Sequence, residues 1–495
     1  MTGKMDNNET NKMATQKFDV VIRGAHVVDG TGAPGFDTDV GITGERIASV
    51  GNLANCDARR EIDARGLTLT PGFIDAHTHD DRLLLSDPSM TPKVSQGVTT
   101  IIGGNCGISL APMPGVVPSP VTPPLDLLDD TGLWFQFATF AEYLNRLRSE
   151  PAATNCAMLV GHTTLRVITM SDVRRAATRD EIAVMRRHVE EGLDAGAIGV
   201  STGLAYPPAI SAPTQEVIEV CRPLTSREAL YCTHMRDEGD RVAESLEETF
   251  EIGRQLGVAI VISHHKVVGE KNYGRSAETL DLIRKAMQSQ RVCLDCYPYA
   301  ASSTILAAHL ARTCKRVTIT WSRGMPQYAG ADLDEVIARV GGTMEEVIAK
   351  LLPAGAIYYR MDEPDVRRIL AFDETMIGSD GLPHDEKPHP RLWATFPRVL
   401  GHYGRSLGLF SFEKAIHKMT GLTARNFGLT DRGEIREGAY ADLVLLNRDT
   451  VAEGADYAHP IGPAIGIDTV LVNGRAVWTQ GQATGERPGR VLGGH

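Results

Sequence analysis

The 495-residue sequence predicts an α/β fold: a (β/α)8 TIM-like barrel, a small β-rich domain formed by both termini, and an inserted helical subdomain. Three observations lead to this prediction. Eight short apolar runs alternate with helical stretches, which is typical of parallel strands joined by crossover helices. Both ends of the chain are rich in short strands that break at glycine. The regular spacing is interrupted once, before the last apolar run, where residues 332–352 have a helical pattern.

The predicted strands and helices divide the chain into five parts. The barrel strands are predicted at residues 73–79, 99–105, 156–162, 197–202, 229–235, 259–265, 291–298 and 375–380. Long helices are predicted between them, such as 179–195 and 241–256. We therefore expect a disordered tail at 1–16, a β domain from 17–70 and 431–495, a barrel from 71–299 and 363–430, and an insertion at the barrel mouth over 300–362.

The composition is that of an ordinary globular protein, with 42% apolar and 23% charged residues. The net charge of −11 comes from 62 acidic and 51 basic residues, and no block of like charge indicates nucleic acid or a membrane as a partner. There is no run of about eighteen apolar residues that would predict a membrane span. Residues 1–16 lack the apolar region of a signal peptide. We expect a soluble protein in the cytoplasm.

Eight cysteines are scattered along the chain without the spacing of a disulfide framework. In so long a chain they indicate reduced thiols. Cys293 and Cys296 form a CxxC pair, but no second pair completes a structural zinc site, so both are predicted to be core residues.

Metal-ligand side chains follow several of the predicted barrel strands. In a barrel of this kind, functional residues lie at the carboxyl ends of the strands. His77 and His79 end the first strand and, being two residues apart, point to the same side. The others are Cys106 after the second strand, His234 at the end of the fifth, His264 and His265 at the end of the sixth, and Asp380 at the end of the eighth. Several such residues on one face of a barrel predict a metal site.

The sixth strand offers two histidines, of which only one can face inward, because neighbouring side chains alternate between the faces of a strand. Lys266 lies two residues from His264 and shares its side. If Lys266 reaches an anionic substrate, His264 is the ligand and His265 points to the helices.

These motifs resemble the amidohydrolase superfamily. The segments that carry the resemblance are Pro71-Gly-Phe-Ile-Asp-Ala-His-Thr-His, the later histidines and aspartate, and Gly433-Glu-Ile-Arg-Glu-Gly-Ala-Tyr-Ala-Asp-Leu-Val. Five more are similar to its D-aminoacylase (N-acyl-D-amino-acid deacylase) branch: Gly103-Gly-Asn-Cys-Gly, Thr233-His-Met-Arg-Asp-Glu, Ile262-Ser-His-His-Lys, Gly378-Ser-Asp-Gly-Leu and His389-Pro-Arg-Leu. The resemblance implies hydrolysis of the amide bond of small-molecule N-acyl-D-amino acids.

The resemblance also implies the metal and its ligands. Many superfamily members bridge two metals with a carbamylated lysine on the fourth strand, but that strand here reads Ala197-Ile-Gly-Val-Ser-Thr and has no lysine. Cys106 supplies a thiolate instead, and a thiolate with two histidines suits zinc. The family pattern implies one tight Zn²⁺ at Cys106, His234 and His264, and a second, weakly filled site at His77, His79 and Asp380.

Amide hydrolysis needs a nucleophilic water, a polarised carbonyl and a proton for the leaving amine. Asp380 is predicted to take the proton from the water and later to deliver it to the amine nitrogen. Lys266, Tyr297 and Arg391 match the family's positions for the substrate α-carboxylate, which basic side chains can bind.

Other residues near the predicted site have smaller roles. Tyr358 and Met361, in the insertion, are predicted to line the substrate side-chain pocket, where an apolar lining would favour neutral side chains. His384 and His389 lie in a loop and are given no primary role.

Two alternatives stay open from the sequence. One is another amidohydrolase branch, a cyclic-amide hydrolase or a deaminase. The missing lysine on the fourth strand and the presence of Cys106 count against the first, and the α-carboxylate cradle counts against the second. The other is a non-catalytic barrel that acts as a scaffold, but such proteins usually lose metal ligands, and every expected position here is filled. The preference for D over L substrates rests on the resemblance alone.

Overall fold

The computed structural model describes residues 17–493, so the tail predicted at 1–16 lies outside the described residues. The strands in this part of the chain are β1 Lys17–Val27, β2 Phe36–Thr43, β3 Arg46–Gly51, β4 Asp57–Asp63, β5 Thr68–Pro71, β6 Phe73–Asp75, β7 Val98–Gly103, β8 Asn155–Gly161, β9 Gly199–Gly203, β10 Leu230–His234, β11 Ile260–Ile262, β12 Val292–Cys296, β13 Ala301–Ile305, β14 Val317–Ser322, β15 Ala354–Tyr359, β16 Thr375–Ile377, β17 Leu443–Leu446, β18 Ile467–Val472, β19 Arg475–Thr479 and β20 Gln482–Ala483.

The α-helices lie mainly between the barrel strands and in the insertion. They are α1 Leu83–Ser86, α2 Thr91–Val94, α3 Phe140–Ser149, α4 His162–Thr169, α5 Arg179–Ala195, α6 Pro207–Ile210, α7 Thr214–Cys221, α8 Val242–Leu256, α9 Ser276–Ala286, α10 Ala308–Ala311, α11 Leu333–Val340, α12 Met344–Leu351, α13 Glu363–Ala371, α14 Arg391–Arg398, α15 Phe412–Met419 and α16 Gly421–Phe427.

Eight parallel strands form the barrel, in the order β6, β7, β8, β9, β10, β11, β12 and β16. Backbone hydrogen bonds join the last strand to the first: Ala76 N donates to Ile377 O at 3.1 Å, and Asp380 N donates to His77 O at 2.7 Å. All eight predicted barrel strands are present, and seven of them end earlier than predicted. Most of the ligand-type residues therefore lie in turns just beyond the strands.

The barrel strands read as continuous apolar runs because both of their faces are covered. Every residue of β7 and of β8 is buried, as expected for strands between a barrel interior and an outer layer of helices. The longest helices end at glycines with positive φ, Gly196 after α5 at 112° and Gly257 after α8 at 65°. Glycine adopts this conformation without the clash that a Cβ atom would cause, so it ends the helix sharply.

Strands from both ends of the chain form one mixed sheet, which confirms the predicted small β domain. Its order is β20-β19-β18-β17-β5-β1-β2-β3, with β4 paired to β1. The two ends of the chain meet where β5 pairs with β17, Pro71 opposite Leu443. Beside this pairing, Gly72 N donates to Asp442 O at 2.7 Å. The C-terminal segment therefore supports the strand that leads directly into β6 of the barrel.

The insertion between β12 and β16 is built around an antiparallel sheet in the order β13-β15-β14. The helical segment predicted at residues 332–352 is present as α11 and α12. The helices and the sheet share a core that includes Ile319, Val347 and Ala356. The sheet was not predicted, because β13 consists mainly of small polar residues, Ala-Ser-Ser-Thr-Ile, without the apolar alternation that marks a strand. The insertion is thus mixed α and β.

Two further features bear on the sequence predictions. Among residues 17–493, no helix is both long enough and apolar enough to cross a bilayer. The eight cysteines form no disulfide. Cys293 and Cys296 are buried on β12, as the core prediction requires.

Candidate metal centre and active site

Buried metal-ligand side chains gather at the carboxyl ends of the barrel strands, in two groups that share one cysteine. The first group is His77, His79, Cys106 and Asp380, and the second is Cys106, His234 and His264. Within each group the candidate ligand atoms lie within 4.8 Å of one another. Cys106 Sγ is 3.3 Å from His77 Nε2 and 3.2 Å from His264 Nε2. The structure thus brings together all six residues that were predicted to hold metal.

Tight turns aim three of these side chains into the barrel mouth. Cys106, His264 and Asp380 have positive φ values of 52°, 36° and 49°. Residues other than glycine rarely adopt this left-handed conformation, which costs roughly 1–3 kcal/mol at each position. Three such residues in one cluster indicate a site whose geometry the surrounding fold imposes.

The turn after β11 orients His264 and His265 in opposite directions. His264 faces Cys106, whereas His265 Nε2 is 2.9 Å from Thr279 Oγ1 on α9. Because β11 ends at Ile262, the turn sets these orientations and strand alternation does not. The structure places His264 at the cluster and His265 toward the helices, and the turn, not the strand, is the reason.

Burial sets the protonation of the candidate ligands. It lowers the pKa of His77 to about 3 and the pKa of His264 below its ordinary value, so both imidazoles are neutral near pH 7. Burial also raises the pKa of the Cys106 thiol well above its usual value. A neutral imidazole can donate its lone pair to a metal, and a bound cation would favour the thiolate over the buried thiol.

The donor atoms of the cluster fit a zinc ion. Nδ1 of His79 and of His234 is buried with no hydrogen-bond partner in the described part of the chain. Buried polar atoms are normally paired, so orphaned atoms in one cluster indicate a ligand. Sulfur and imidazole nitrogen are the donors that zinc prefers.

Asp380 lies between the first-strand histidines and a buried arginine. Its Oδ1 is 3.3 Å from His79 Nε2 and 3.6 Å from His77 Nε2, and its Oδ2 is 2.8 Å from Arg391 Nη1. Burial acts to raise the pKa of Asp380, but Arg391 and the neighbouring histidines together outweigh burial and hold this pKa well below its usual value. The side chain is therefore an ionised carboxylate, which can bind a cation or accept a proton.

Lys266 lies at the cavity wall but is already paired with an acid. Its Nζ is 2.7 Å from Glu238 Oε1. Burial acts to raise the pKa of Glu238, but Lys266, His234 and His264 together outweigh burial and hold this pKa well below its usual value, so the carboxylate is charged. His264 Nδ1 lies 3.2 Å from Glu238 Oε1 and 2.6 Å from Lys266 Nζ. In the tautomer with its proton on Nδ1, His264 donates a hydrogen bond to Glu238 and leaves Nε2 free for a metal. Lys266 therefore brings no uncompensated charge to the cavity.

Tyr297 lies between the two cations predicted to bind the substrate α-carboxylate. Its ring centre is 5.4 Å from Lys266 Nζ and 4.7 Å from the guanidinium carbon of Arg391. Its hydroxyl is buried and has no hydrogen-bond partner within residues 17–493. Arg391 is held in place because its Nη2 donates to Ser303 O at 3.0 Å and its backbone N donates to His389 Nδ1 at 3.0 Å.

The structure places Tyr358 and Met361 away from the cavity that they were predicted to line. The Tyr358 hydroxyl donates to Ile305 O at 2.8 Å and accepts from Ala307 N at 2.9 Å, inside the core of the insertion. Met361 packs behind Tyr297 in a small apolar cluster. Neither residue borders the space next to the metal cluster.

Two spaces that share several lining residues adjoin the metal cluster. The inner cavity is lined by His79, Leu127, Tyr206, His234, Glu238, His264, Lys266, Tyr297, Ser302, Ser303, Thr304, Arg360, Asp380 and Leu382. The outer cleft is lined by residues 205–207, 210, 234, 236–240, 268–272, 304–305, 309–310, 312–315 and 360. The outer cleft has a volume of about 750 Å³, within the range of small-molecule sites.

Sequence reasoning missed several supporting residues. Asp295 Oδ1 accepts from His264 N at 2.9 Å, and its Oδ2 is 3.6 Å from His77 Nδ1. Glu238 belongs to the Thr233 motif, and Asp295 is a carboxylate on an otherwise apolar strand, so both carried a signal. Lys93, on α2, carried no such signal. Its buried Nζ donates to Asp75 and to Ser379, next to the first and the last barrel strands, and only the structure shows these contacts.

The fold and the site together define a class of protein. A (β/α)8 barrel that gathers four histidines, a cysteine and an aspartate at the carboxyl ends of its strands is a metal-dependent barrel hydrolase. More particularly, the chain belongs to the amidohydrolase family, whose sequence profile matches residues 60–478.

Individual relatives are similar over nearly the whole chain. The D-aminoacylase of Alcaligenes xylosoxydans xylosoxydans is 55% identical and the alignment covers 97% of this chain and 98% of that protein. A solved D-aminoacylase, with a binuclear metal center showing one-metal activation and second-metal attenuation, has a TM-score of 0.93 at 56% identity, with 96% of this chain and 100% of that chain covered. The N-acyl-D-glutamate deacylase of Bordetella bronchiseptica, solved with zinc and a phosphonate mimic of the tetrahedral intermediate, has a TM-score of 0.92 at 44% identity and the same coverage.

Proposed function

We propose that this protein hydrolyses the amide bond of N-acyl-D-amino acids in a zinc-dependent reaction that yields a carboxylate and a free D-amino acid. The observation that carries the proposal is the position of Cys106, whose Sγ lies within 3.3 Å of histidine nitrogens from both ligand groups. This thiol takes the place of the bridging lysine that β9 lacks. The D-aminoacylase that is 55% identical supports both the substrate class and the D configuration.

The metal ligands divide into a tight set and a weaker one. Cys106, His234 and His264 would hold the tight zinc ion, because a thiolate with two imidazoles is a strong donor set for zinc. A second ion would bind more weakly at His77, His79 and Asp380. When bound, zinc supplies Lewis acidity, which polarises an amide carbonyl and makes water acidic enough to act as a nucleophile near neutral pH.

Asp380 is the proton carrier of the reaction. Held ionised by Arg391 and the neighbouring histidines, it takes a proton from the attacking water, whose oxygen forms a bond to the acyl carbon. When the C–N bond breaks, Asp380 delivers the proton to the nitrogen, which leaves as the amine. Proton transfer by a positioned side chain typically contributes about 10²–10⁴-fold to the rate.

Arg391 and Tyr297 bind the substrate α-carboxylate. The Tyr297 hydroxyl is a buried donor with no partner in the described residues, and the Arg391 guanidinium lies across the same ring. Because Glu238 balances the charge of Lys266, Lys266 acts mainly by positioning Glu238 against His264. The α-carboxylate thereby fixes the scissile nitrogen close to Asp380.

The cytoplasm is the compartment in which this site would work. Cys106 can bind a metal only as a free thiol, and all eight cysteines are free. Thiols stay reduced in the cytoplasm, whereas oxidising compartments favour disulfides.

Removal and replacement of the metal test the proposal. Protein freed of metal by a chelator is expected to lose amine release from N-acetyl-D-methionine and N-acetyl-D-aspartate. Added zinc is expected to restore the activity, with a maximum near one ion per chain because only one ligand set is tight. Activity that survives complete removal of metal, or that requires two ions per chain, would contradict the proposal.

A further inference from the structure

Six lysine and arginine side chains line the inner cavity and the outer cleft: Arg236, Lys266, Lys271, Arg312, Lys315 and Arg360. Five of them lie within 4.0 Å of a carboxylate oxygen. Arg360 alone has no carboxylate at this distance within residues 17–493. The protein has a net charge of −11, so an uncompensated arginine in a cavity wall indicates an anionic ligand.

The guanidinium of Arg360 is held in place through Nε, while its two Nη atoms are free to bind a ligand. Its Nε donates to Ser302 Oγ at 3.1 Å, and its guanidinium carbon is 5.6 Å from the ring centre of Tyr358. The backbone is fixed as well, because Arg360 O accepts from Gly269 N at 2.9 Å. Neither Nη atom donates to another described residue. Two parallel N–H donors of a fixed arginine match the two oxygens of a carboxylate.

Arg360 lies where it can contact the side chain of a bound substrate and not its α-carboxylate. Arg360 borders both the inner cavity and the outer cleft. The α-carboxylate of an N-acyl amino acid is two bonds from the scissile nitrogen, so it must lie near Asp380 and Arg391, whose charged atoms are 2.8 Å apart. The side chain leaves the same carbon in another direction and can extend toward the outer cleft, where Arg360 lies.

We infer, on the basis of the proposed function, that Arg360 binds the side-chain carboxylate of an acidic substrate, so that N-acyl-D-aspartate and N-acyl-D-glutamate are preferred. Tyr358 and Met361, which were predicted to form an apolar pocket, do not line the inner cavity, so neither provides an apolar contact for the substrate side chain beside Arg360. Arg360 thereby acts as a specificity-determining residue.

Kinetics with acidic and neutral substrates test this inference. The value of kcat/KM is measured for N-acetyl-D-aspartate, N-acetyl-D-glutamate and N-acetyl-D-methionine with zinc-loaded wild type, Arg360→Ala, Arg360→Lys and Arg312→Ala. Wild type is expected to favour an acidic substrate by at least about tenfold. Arg360→Ala should lower kcat/KM for acidic substrates by roughly 30- to 100-fold, as when one partner of a close charge pair is removed, and should erase the preference. Arg360→Lys should keep part of it.

Arg312 is the matched control, because it lines the same cleft but is paired with Glu345 at 2.7 Å. Arg312→Ala is expected to keep the acidic preference within about twofold. An equal loss on acidic and neutral substrates in Arg360→Ala at full zinc content would overturn the inference, as would collapse of the preference in Arg312→Ala alone. Wild type that prefers the neutral substrate would overturn it too. Wild type that hydrolyses none of the three would contradict the proposed function as well.

Discussion

Arg391 Nη1 lies 2.8 Å from Asp380 Oδ2, and both side chains are buried. The proposed ligand of the substrate α-carboxylate is therefore also the counter-ion of the proposed proton carrier. A second guanidinium nitrogen, Nη2, donates to Ser303 O at 3.0 Å. One arginine thus links substrate binding to the charge state of Asp380, and its replacement should affect both.

Arg391→Lys is expected to raise KM and to lower kcat, each by about tenfold or more. A single ammonium does not reproduce the planar fork, so it would lose contact with Asp380, with Ser303 O or with the substrate. Steady-state kinetics measure both constants. Arg339→Lys, at an exposed position on α11, is the control and should change neither. A rise in KM with unchanged kcat would show that Arg391 serves binding alone.

Asp380→Asn is expected to lower kcat by roughly 10²–10⁴-fold, because an amide does not accept the proton that the carboxylate carries. The zinc content should stay near one ion per chain, since the tight site uses other ligands. Turnover and elemental analysis of the same preparation check both statements. Unchanged turnover would exclude Asp380 as the proton carrier. Loss of all zinc would mean that Asp380 is a ligand of the tightly bound ion.

His264 and His265 should differ sharply in their effect on metal binding. His264→Asn is expected to weaken zinc binding by at least about 100-fold, because it removes a direct ligand next to Cys106. His265→Asn should change zinc binding only a few-fold, since His265 contacts Thr279 on α9. Competition with a zinc indicator measures both affinities. A larger loss of zinc affinity in His265→Asn than in His264→Asn would mean that His265, and not His264, is the ligand.

Lys93 should be essential for stability. Its buried Nζ is 2.8 Å from Asp75 Oδ2, 2.8 Å from Ser379 Oγ and 3.3 Å from Asp80 Oδ2, and it joins the first and the last barrel strands. Lys93→Met leaves buried carboxylates without a cation, which costs roughly 3–5 kcal/mol. Thermal unfolding should show a clearly lower Tm, and adding Asp75→Asn should recover part of the loss. An unaltered Tm would rule out this role.

Asp126 should make stability fall as pH rises. Burial raises its pKa to about 7, with the negative charges of Asp130 and Asp385 adding to the effect. The unfolded carboxyl has a pKa of 3.8, so the folded state binds more protons between about pH 4 and pH 7 and loses stability across that window. Asp126→Asn is expected to raise Tm relative to wild type at pH 8 and to leave it nearly equal at pH 4. The same difference at both pH values would contradict this account.

The barrel and its metal ligands could be predicted because each left a local signal. The eight apolar runs mark strands, and His77, His79 and Cys106 directly follow two of them. The carboxyl ends of the parallel strands lie at one mouth of the barrel, so ligands that follow these strands meet there.

The partners of these residues could not be predicted because they come from distant parts of the chain. Lys266 pairs with Glu238 from the preceding barrel loop, and Asp380 pairs with Arg391 at the start of α14. Tyr358 shows the effect of register: β15 pairs it opposite Ser302 on β13, and its ring then packs into the insertion instead of the cavity. Strand register in a mixed insertion depends on packing that the sequence pattern does not show.

Amine release from paired enantiomers tests the central claim most directly. Zinc-loaded protein would be given N-acetyl-D- and N-acetyl-L-aspartate and the corresponding methionine pair, with a cyclic hydantoin alongside. We expect release from the D forms, none from the L forms and no opening of the hydantoin. Release from the L forms at an equal rate, or hydrolysis of the hydantoin alone, would contradict the assignment as an N-acyl-D-amino-acid deacylase.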